Sequence, residues 1–192
     1  MGHVDRKQRD KEEIKKRILG ATLKIGKKEG WQSVTIRKIA DEIEYTPPIV
    51  YEHFESKEDL IRELIHGGFK MLKEEFVNAN KTESEAKPLL RKLSLIHWDF
   101  ASNNLALYQL MFRPEKPALS EEFINMINIV NETFMKLAKN NKTIAEELNI
   151  NWFCLIHGAI SLMMTFPPPP HFQEVEPSDL FANMIDRFIE SI

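Results

Sequence analysis

Apolar side chains recur along this chain at three- and four-residue intervals, the pattern of helices that bury one face. Ile14, Ile18, Ala21 and Ile25 fall on one face of a first helix, which the pattern ends near Gly30. Trp31 and Val34 cover the joint, and Thr35 suits the N-cap of a second helix whose buried face is Ile36, Ile39, Ala40 and Ile43. Pro47-Pro48 is compatible with a helix start, because proline lacks the amide hydrogen that a first turn leaves unpaired. A third helix is therefore predicted from about Pro48 to Phe54, with Pro47 inside it or just outside. Ser56 followed by Asp59 resembles a capping box and opens a fourth helix that carries Leu60, Ile61, Leu64, Ile65 and Phe69 to about Val77.

Residues 78–87 (NANKTESEAK) are polar and interrupt the pattern. Beyond them a helix is predicted from about Pro88 through Trp98 to Ser102, a short one over Leu105 to Phe112, and a turn from Arg113 to Pro117. The next helix, Ser120 to Asn140, turns Phe123, Ile127, Val130, Phe134 and Leu137 inward. From Trp152 to Phe166 apolar residues lie on both sides, Phe153, Ile156, Ile160 and Met163 on one and Trp152, Leu155, Ala159 and Leu162 on another. Such a helix must be buried on both. Phe166 precedes four prolines, which predict an extended loop through Glu176. A last helix, capped by Ser178 or its neighbour, has the stripe Phe181, Met184, Ile185, Phe188 and Ile192, too wide for a terminal helix without a partner. The chain reads as all-α with about nine helices: a three-helix unit at 1–56, a connecting helix at 57–78 and a helical domain at 79–192.

Composition adds limits. The 192 residues are 43% hydrophobic and 29% charged, enough for a sizeable core. No apolar run near the ~20 residues of a membrane span is evident and the start lacks an apolar signal core, so the expectation is a cytoplasmic protein without a membrane partner. The Met-Gly opening is not a myristoylation signal, because Arg6 stands where Ser or Thr is wanted. Cys154 is the only cysteine, cannot form an internal disulfide, and is expected as a buried thiol. The net charge of −3 conceals an asymmetry: residues 6–28 hold ten basic and three acidic side chains, a net of +7, and residues 61–192 hold 13 and 17, a net of −4. That places attraction for phosphate at one end, although a solvated helix face gives the same pattern. There is no phosphate-cradling glycine loop, His-Glu-x-x-His or nucleophile elbow, and His97, Asp99 and His157 form no compact ligand cluster. No catalytic residue, cofactor or metal site is assigned.

Within Thr35 to Lys57 the spacing is that of a helix-turn-helix: Ala40 is small where two helices approach, Glu44 follows at the turn, and Val50 anchors the second helix. Tyr51, Phe54 and Lys57, with Gly30, Ser33, Thr35, Ile36 and Ile39-Ala40, resemble the DNA-binding domain of TetR-family transcriptional regulators over about residues 12–65. Glu44 and Pro48 depart from that pattern, standing where glycine or a small residue is common. At positive φ Glu44 would carry about 1 kcal/mol of strain. Phe100-Ala101, Leu107 to Phe112, and Trp152 with His157-Gly158 are similar to one class of the family's C-terminal domains.

The resemblance implies a ligand-released repressor acting as a homodimer on a double-stranded DNA operator. By it, Thr35, Arg37, Tyr51 and Lys57 meet phosphates, while Thr46, Pro47, Ile49 and His53 face the major groove. Thr35 and Thr46 could instead only cap helices, Tyr51 be a core aromatic and His53 be merely solvated. Few of these side chains can donate to base edges, so specificity would lean on thymine methyls, His53, Arg37 and DNA shape. A pocket for a small hydrophobic or aromatic effector would draw on His97, Trp98, Tyr108, Met111 and Phe112, and on Phe134, Trp152, His157 and Met163, with His97 or His157 orienting a polar group. The dimer would use Phe153 and Ile160 with Phe181, Met184, Ile185, Phe188 and Ile192. Gly67-Gly68 is either a compliant point in helix four or a close packing contact, each glycine costing ~1 kcal/mol against alanine. An architectural or division-control protein of the same fold without an effector, and a helical enzyme, are the alternatives.

Overall fold

The computed structural model describes residues 2–113, 120–165 and 175–192. The expected turn beyond Arg113 and the four-proline loop fall largely outside the described residues. All regular structure among the described residues is helical: α1 (Gly2–Glu29), a short 3₁₀ turn (Trp31–Ser33), α2 (Ile36–Glu42), α3 (Pro47–Tyr51), α4 (Lys57–Thr82), α5 (Ala86–Asn103), α6 (Leu105–Met111), α7 (Glu121–Leu137), α8 (Lys142–Thr165) and α9 (Pro177–Glu190). Two compact units divide between Gly67 and Gly68, inside α4.

In the first unit, Ile18, Val34, Ile39, Ala40, Val50 and Leu60 are fully buried and form one small core. Each such side chain contributes about 1.5–3 kcal/mol on burial, alanine less. α1 stops where Gly30 takes φ 82 and its amide donates to the Gly26 carbonyl at 3.0 Å. Gly26 is required for a different reason: a Cβ there would stand 2.6 Å from the Trp31 ring. Glu44 adopts φ 61, the strained conformation anticipated from its turn position. The turn closes α2 with two bonds, Tyr45 N–H to the Ala40 carbonyl at 2.9 Å and Glu44 N–H to that of Asp41 at 3.2 Å, the pairing of a Schellman motif. α3 takes Pro47 as its first residue. The capping box opens α4: Asp59 N–H donates to Ser56 Oγ at 3.1 Å and Glu55 N–H to Asp59 Oδ2 at 3.3 Å.

The +7 of the N-terminal stretch is partly spent inside this unit. Lys15 pairs with Glu63 at 2.6 Å, Lys24 with Glu42 at 2.5 Å, and Arg17 Nη2 donates to the Ile43 carbonyl at 2.7 Å. Lys11, Lys16, Lys27 and Lys28 remain exposed.

In the second unit α5 is central and packs against α6, α7, α8 and α9. It buries Leu89, Leu90, Leu93, His97, Trp98 and Ala101. Arg91 clamps α9 from outside, Nε to Asp186 Oδ1 at 2.6 Å and Nη2 to Oδ2 at 3.2 Å. Several expectations change here. α4 continues to Thr82, beyond Val77, and α8 starts at Lys142 rather than Trp152. Glu176 caps α9, with Pro177 as its first residue, in place of Ser178. Phe181, Ile185 and Ile160 are fully buried within the protomer, so they are core rather than dimer surface; the Trp98 ring stacks on Phe181 at 4.8 Å. Cys154 is exposed, not buried.

α8 is, by length and composition, apolar enough to cross a membrane, with mean hydropathy 1.3, although no apolar run of that length is evident in the sequence. It packs against α5, α7 and α9 and buries Ala145, Trp152, Ile156, Ala159 and Ile160 there. It is thus half core helix and half exposed apolar face: Ile150 is 65% exposed and Leu162 61%.

Candidate functional site: a nucleic-acid interface and a ring cluster

α3 is held by its inward residues. Val50 is fully buried, Phe54 just beyond the helix nearly so, and Tyr51 and Glu52 between them are exposed. Tyr51 is 56% exposed, which removes the reading of it as a core aromatic. Pro47 and Ile49 are half-buried and Pro48 exposed. The two threonines differ. Thr35 Oγ1 accepts from Lys38 N–H at 3.2 Å and caps α2, whereas Thr46 occupies the N-cap of α3 without a side-chain capping bond and is exposed. Its hydroxyl is available to an outside partner. Arg37 is exposed in the first turn of α2. Lys57 Nζ donates to the Trp31 carbonyl at 3.1 Å, which fixes the start of α4 against the 3₁₀ turn and leaves two of its three donors.

His53 is half-buried, and desolvation followed by the Lys11 charge holds its imidazole below the usual range. It borders an open groove of about 410 Å³ between α1 and the end of α3, lined also by Gln8, Lys11, Glu12, Lys15 and Glu52. Mixed charge makes this a polar surface feature rather than an apolar binding site.

The second unit holds a cluster of rings centred on His157. Phe153 lies 4.0 Å from it between centroids, Phe112 4.3 Å, Tyr108 5.6 Å and His97 5.7 Å. Tyr108 Oη and His157 Nδ1 are 2.5 Å apart. His97 rests edge-on against Phe76 at 5.1 Å and Trp152 at 5.6 Å, and its Nδ1 donates to the Leu93 carbonyl at 3.3 Å. Trp152 Nε1 donates to Ser94 Oγ at 2.8 Å. Burial drives both imidazoles down, His97 to about 4 and His157, with the added charge of His97, to about 3; it drives the Tyr108 hydroxyl up. All three groups are neutral near pH 7.

Five of the nine expected pocket residues therefore meet: His97, Tyr108, Phe112, Trp152 and His157. Phe134 reaches them through Trp152, at 5.9 Å. Trp98 faces α9 instead, and Met111 packs against Gly68. Met163 is half-buried on α8. Phe153, expected at a dimer surface, belongs to this cluster, and so do Phe69 and Phe76, whose register on α4 could have placed them only with the neighbouring helix known. Among the described residues no group of three or more His, Cys, Asp or Glu is placed to hold a metal.

Residues 18–64 match the family model for bacterial regulatory proteins of the tetR family. No curated protein sequence matches the chain. Solved structures match over nearly the whole length at low identity. One is a bacterial regulatory protein in the tetR family from Rhodococcus RHA1, 18% identical, with TM-score 0.67 over 92% of this chain and 95% of that one. A TetR-family transcriptional regulator from Bordetella parapertussis is 16% identical, with TM-score 0.68 over 91% and 93%. The transcriptional regulator FadR from Bacillus subtilis, solved in complex with stearoyl-CoA, is 16% identical, with TM-score 0.72 over 92% and 98%. At these identities the likeness is one of fold.

Proposed function

We propose that the chain is a transcriptional regulator of the TetR family, a homodimeric repressor that leaves its operator when a small apolar effector binds; the family match over residues 18–64 supports that reading. The observation that carries the reading is the outward face of α3, with Thr46 uncapped and exposed and Tyr51 56% exposed while Val50 is fully buried. A helix that short keeps side chains outward only where packing does not need them. Phosphate contacts from Thr35, Arg37, Tyr51 and Lys57 supply most of the affinity, and Thr46, Pro47, Ile49 and His53 enter the major groove.

The partner for the exposed half of α8 is a second copy of the chain. Ile150, Leu162 and the half-buried Met184 and Phe188 of α9 present the apolar surface. FadR of Bacillus subtilis was solved with stearoyl-CoA. For this chain the support for an apolar effector is its own ring cluster. The site of action is the cytoplasm, where the DNA lies, and no catalytic role is assigned.

The test is a mobility shift with duplex DNA flanking the chain's own coding region. The expected result is a complex of two protomers reading half-sites roughly 34 Å apart. No retention of DNA even at low salt would end the proposal. A thermal-shift screen with hydrophobic compounds separates a sensor from an architectural protein of the same fold, which would show no stabilisation.

A further inference from the structure

His157 Nε2 is buried and, among the described residues, has no hydrogen-bond partner. An orphaned polar atom in an apolar surround costs about 1–3 kcal/mol, so a fold keeps one where something else completes it. The other ring nitrogen is taken, 2.5 Å from the Tyr108 hydroxyl. That contact decides which nitrogen carries the proton. If the phenol donates to Nδ1, its proton and the Nδ1 lone pair are both used, and only the Nε2 proton is left over. If Nδ1 donates to the phenol oxygen, the hydroxyl proton and the Nε2 lone pair are both stranded. The first arrangement leaves one unmet group and the second two. It also suits the chemistry, since a phenol is the stronger acid of the pair and burial keeps Tyr108 protonated.

We propose that His157 Nε2–H is the donor that anchors the effector, and that it selects a neutral carbonyl oxygen on an apolar body, with Tyr108 as the positioning residue that holds the ring in this tautomer. The proposal rests on the reading of the second unit as an effector-binding half. His97 is not the anchor: its Nδ1 proton is given to the Leu93 carbonyl, and its ring is wedged between Phe76 and Trp152. Around His157 the walls are Phe112 and Phe153, at 4.3 and 4.0 Å, which offer apolar surface. Burial keeps His157 uncharged, to about pKa 3. A carboxylate brought there would lose its water and gain no counter-charge, whereas an ester, amide or thioester carbonyl would lose little and accept the bond.

The experiment uses the full chain with ¹⁵N-labelled histidine; six residues give six ring systems, and His157→Gln identifies the one of interest. Long-range proton–nitrogen spectra are expected to show His157 as the Nε2–H tautomer, and Tyr108→Phe to mix the two tautomers. Methyl decanoate is then compared with sodium decanoate. The ester is expected to shift the Nε2–H resonance, decanoate to shift it less, and His157→Phe to weaken ester binding about fivefold, the worth of one neutral hydrogen bond. An Nδ1–H tautomer in the unmodified chain overturns the proposal. So does the lack of any response to the ester, a decanoate response as strong as the ester's, or undiminished ester affinity in His157→Phe. DNA retention by the same preparation is scored apart: if it persists while the His157 results fail, the anchor falls and the regulator stands, and the reverse pattern removes the regulator alone.

Discussion

Gly68 lies flush against Met111, whose thioether occupies the space a Cβ on that glycine would need, while nothing among the described residues comes within 4 Å of the corresponding position of Gly67. The two neighbours in α4 thus have unlike reasons to be glycine. Gly67→Ala is expected to raise stability by up to about 1 kcal/mol through helix propensity. Gly68→Ala must displace the buried Met111, a cost of about 1–3 kcal/mol that cancels or exceeds the same gain. Denaturant midpoints of the two variants check the contrast, and unchanged effector-induced release in Gly67→Ala would dispose of a hinge at that residue.

Glu44 at φ 61 is strained where glycine would not be. Glu44→Gly is expected to stabilise the chain by roughly 0.5–1 kcal/mol, because relief of left-handed strain exceeds the added chain entropy. Thermal unfolding reads this directly. A lower melting temperature would mean that the Glu44 side chain contributes something the turn geometry does not reveal.

Thr35 and Thr46 stand at equivalent helix starts, yet only the first caps with its hydroxyl. Thr35→Ala should cost about 1 kcal/mol of stability. Thr46→Ala should leave stability within about 0.5 kcal/mol of the parent and weaken DNA retention. Equal destabilisation by both would contradict the difference.

Burial of neutral His97 and His157 makes stability depend on acid. Their folded values, about 4 and about 3, lie below the usual 6.5, so below that value the unfolded chain binds protons the folded chain does not. The contribution is complete above about pH 6.5 and is lost as pH falls from there toward the folded values, at about 1.4 kcal/mol per pH unit per histidine. Urea midpoints between about pH 7.5 and about pH 5 are expected to fall, with a shallower slope in His157→Gln. A slope unaffected by that change would show that His157 takes up protons alike in the folded and the unfolded chain.

Leu162 is 61% exposed on α8 and contributes little to the protomer's own core. Leu162→Glu is expected to give a folded monomer, because a charge on the apolar face opposes pairing without touching the interior. Sedimentation of a persistent dimer would move the interface elsewhere.

The helix-turn-helix was legible because its information is local. Ile39, Ala40, Ile43, Val50 and Phe54 are all buried, as their spacing required, and Glu44 took the conformation its turn position demanded. Thr35 and Thr46 were indistinguishable, since hydroxyl orientation leaves no trace in spacing. The start of α8 was missed because residues 142–151 mix polar positions with exposed Ile144 and Ile150, which obscures the period. On α9 the sequence displays one wide apolar stripe. Only the packed fold divides it into Phe181 and Ile185, fully buried, and Met184 and Phe188, left nearer the surface. The pairing of Tyr108 with His157 joins helices far apart in the chain, where periodicity has nothing to say.

Trp31 is half-exposed in the first unit, while the other two tryptophans, Trp98 and Trp152, are buried in the second at 8% and 2% exposure. Indole emission shifts to the red as water reaches the ring, so the first and second units fluoresce at different wavelengths. The unlabelled chain carries its own two-colour optical reporter, and events at either end are visible separately in a single spectrum.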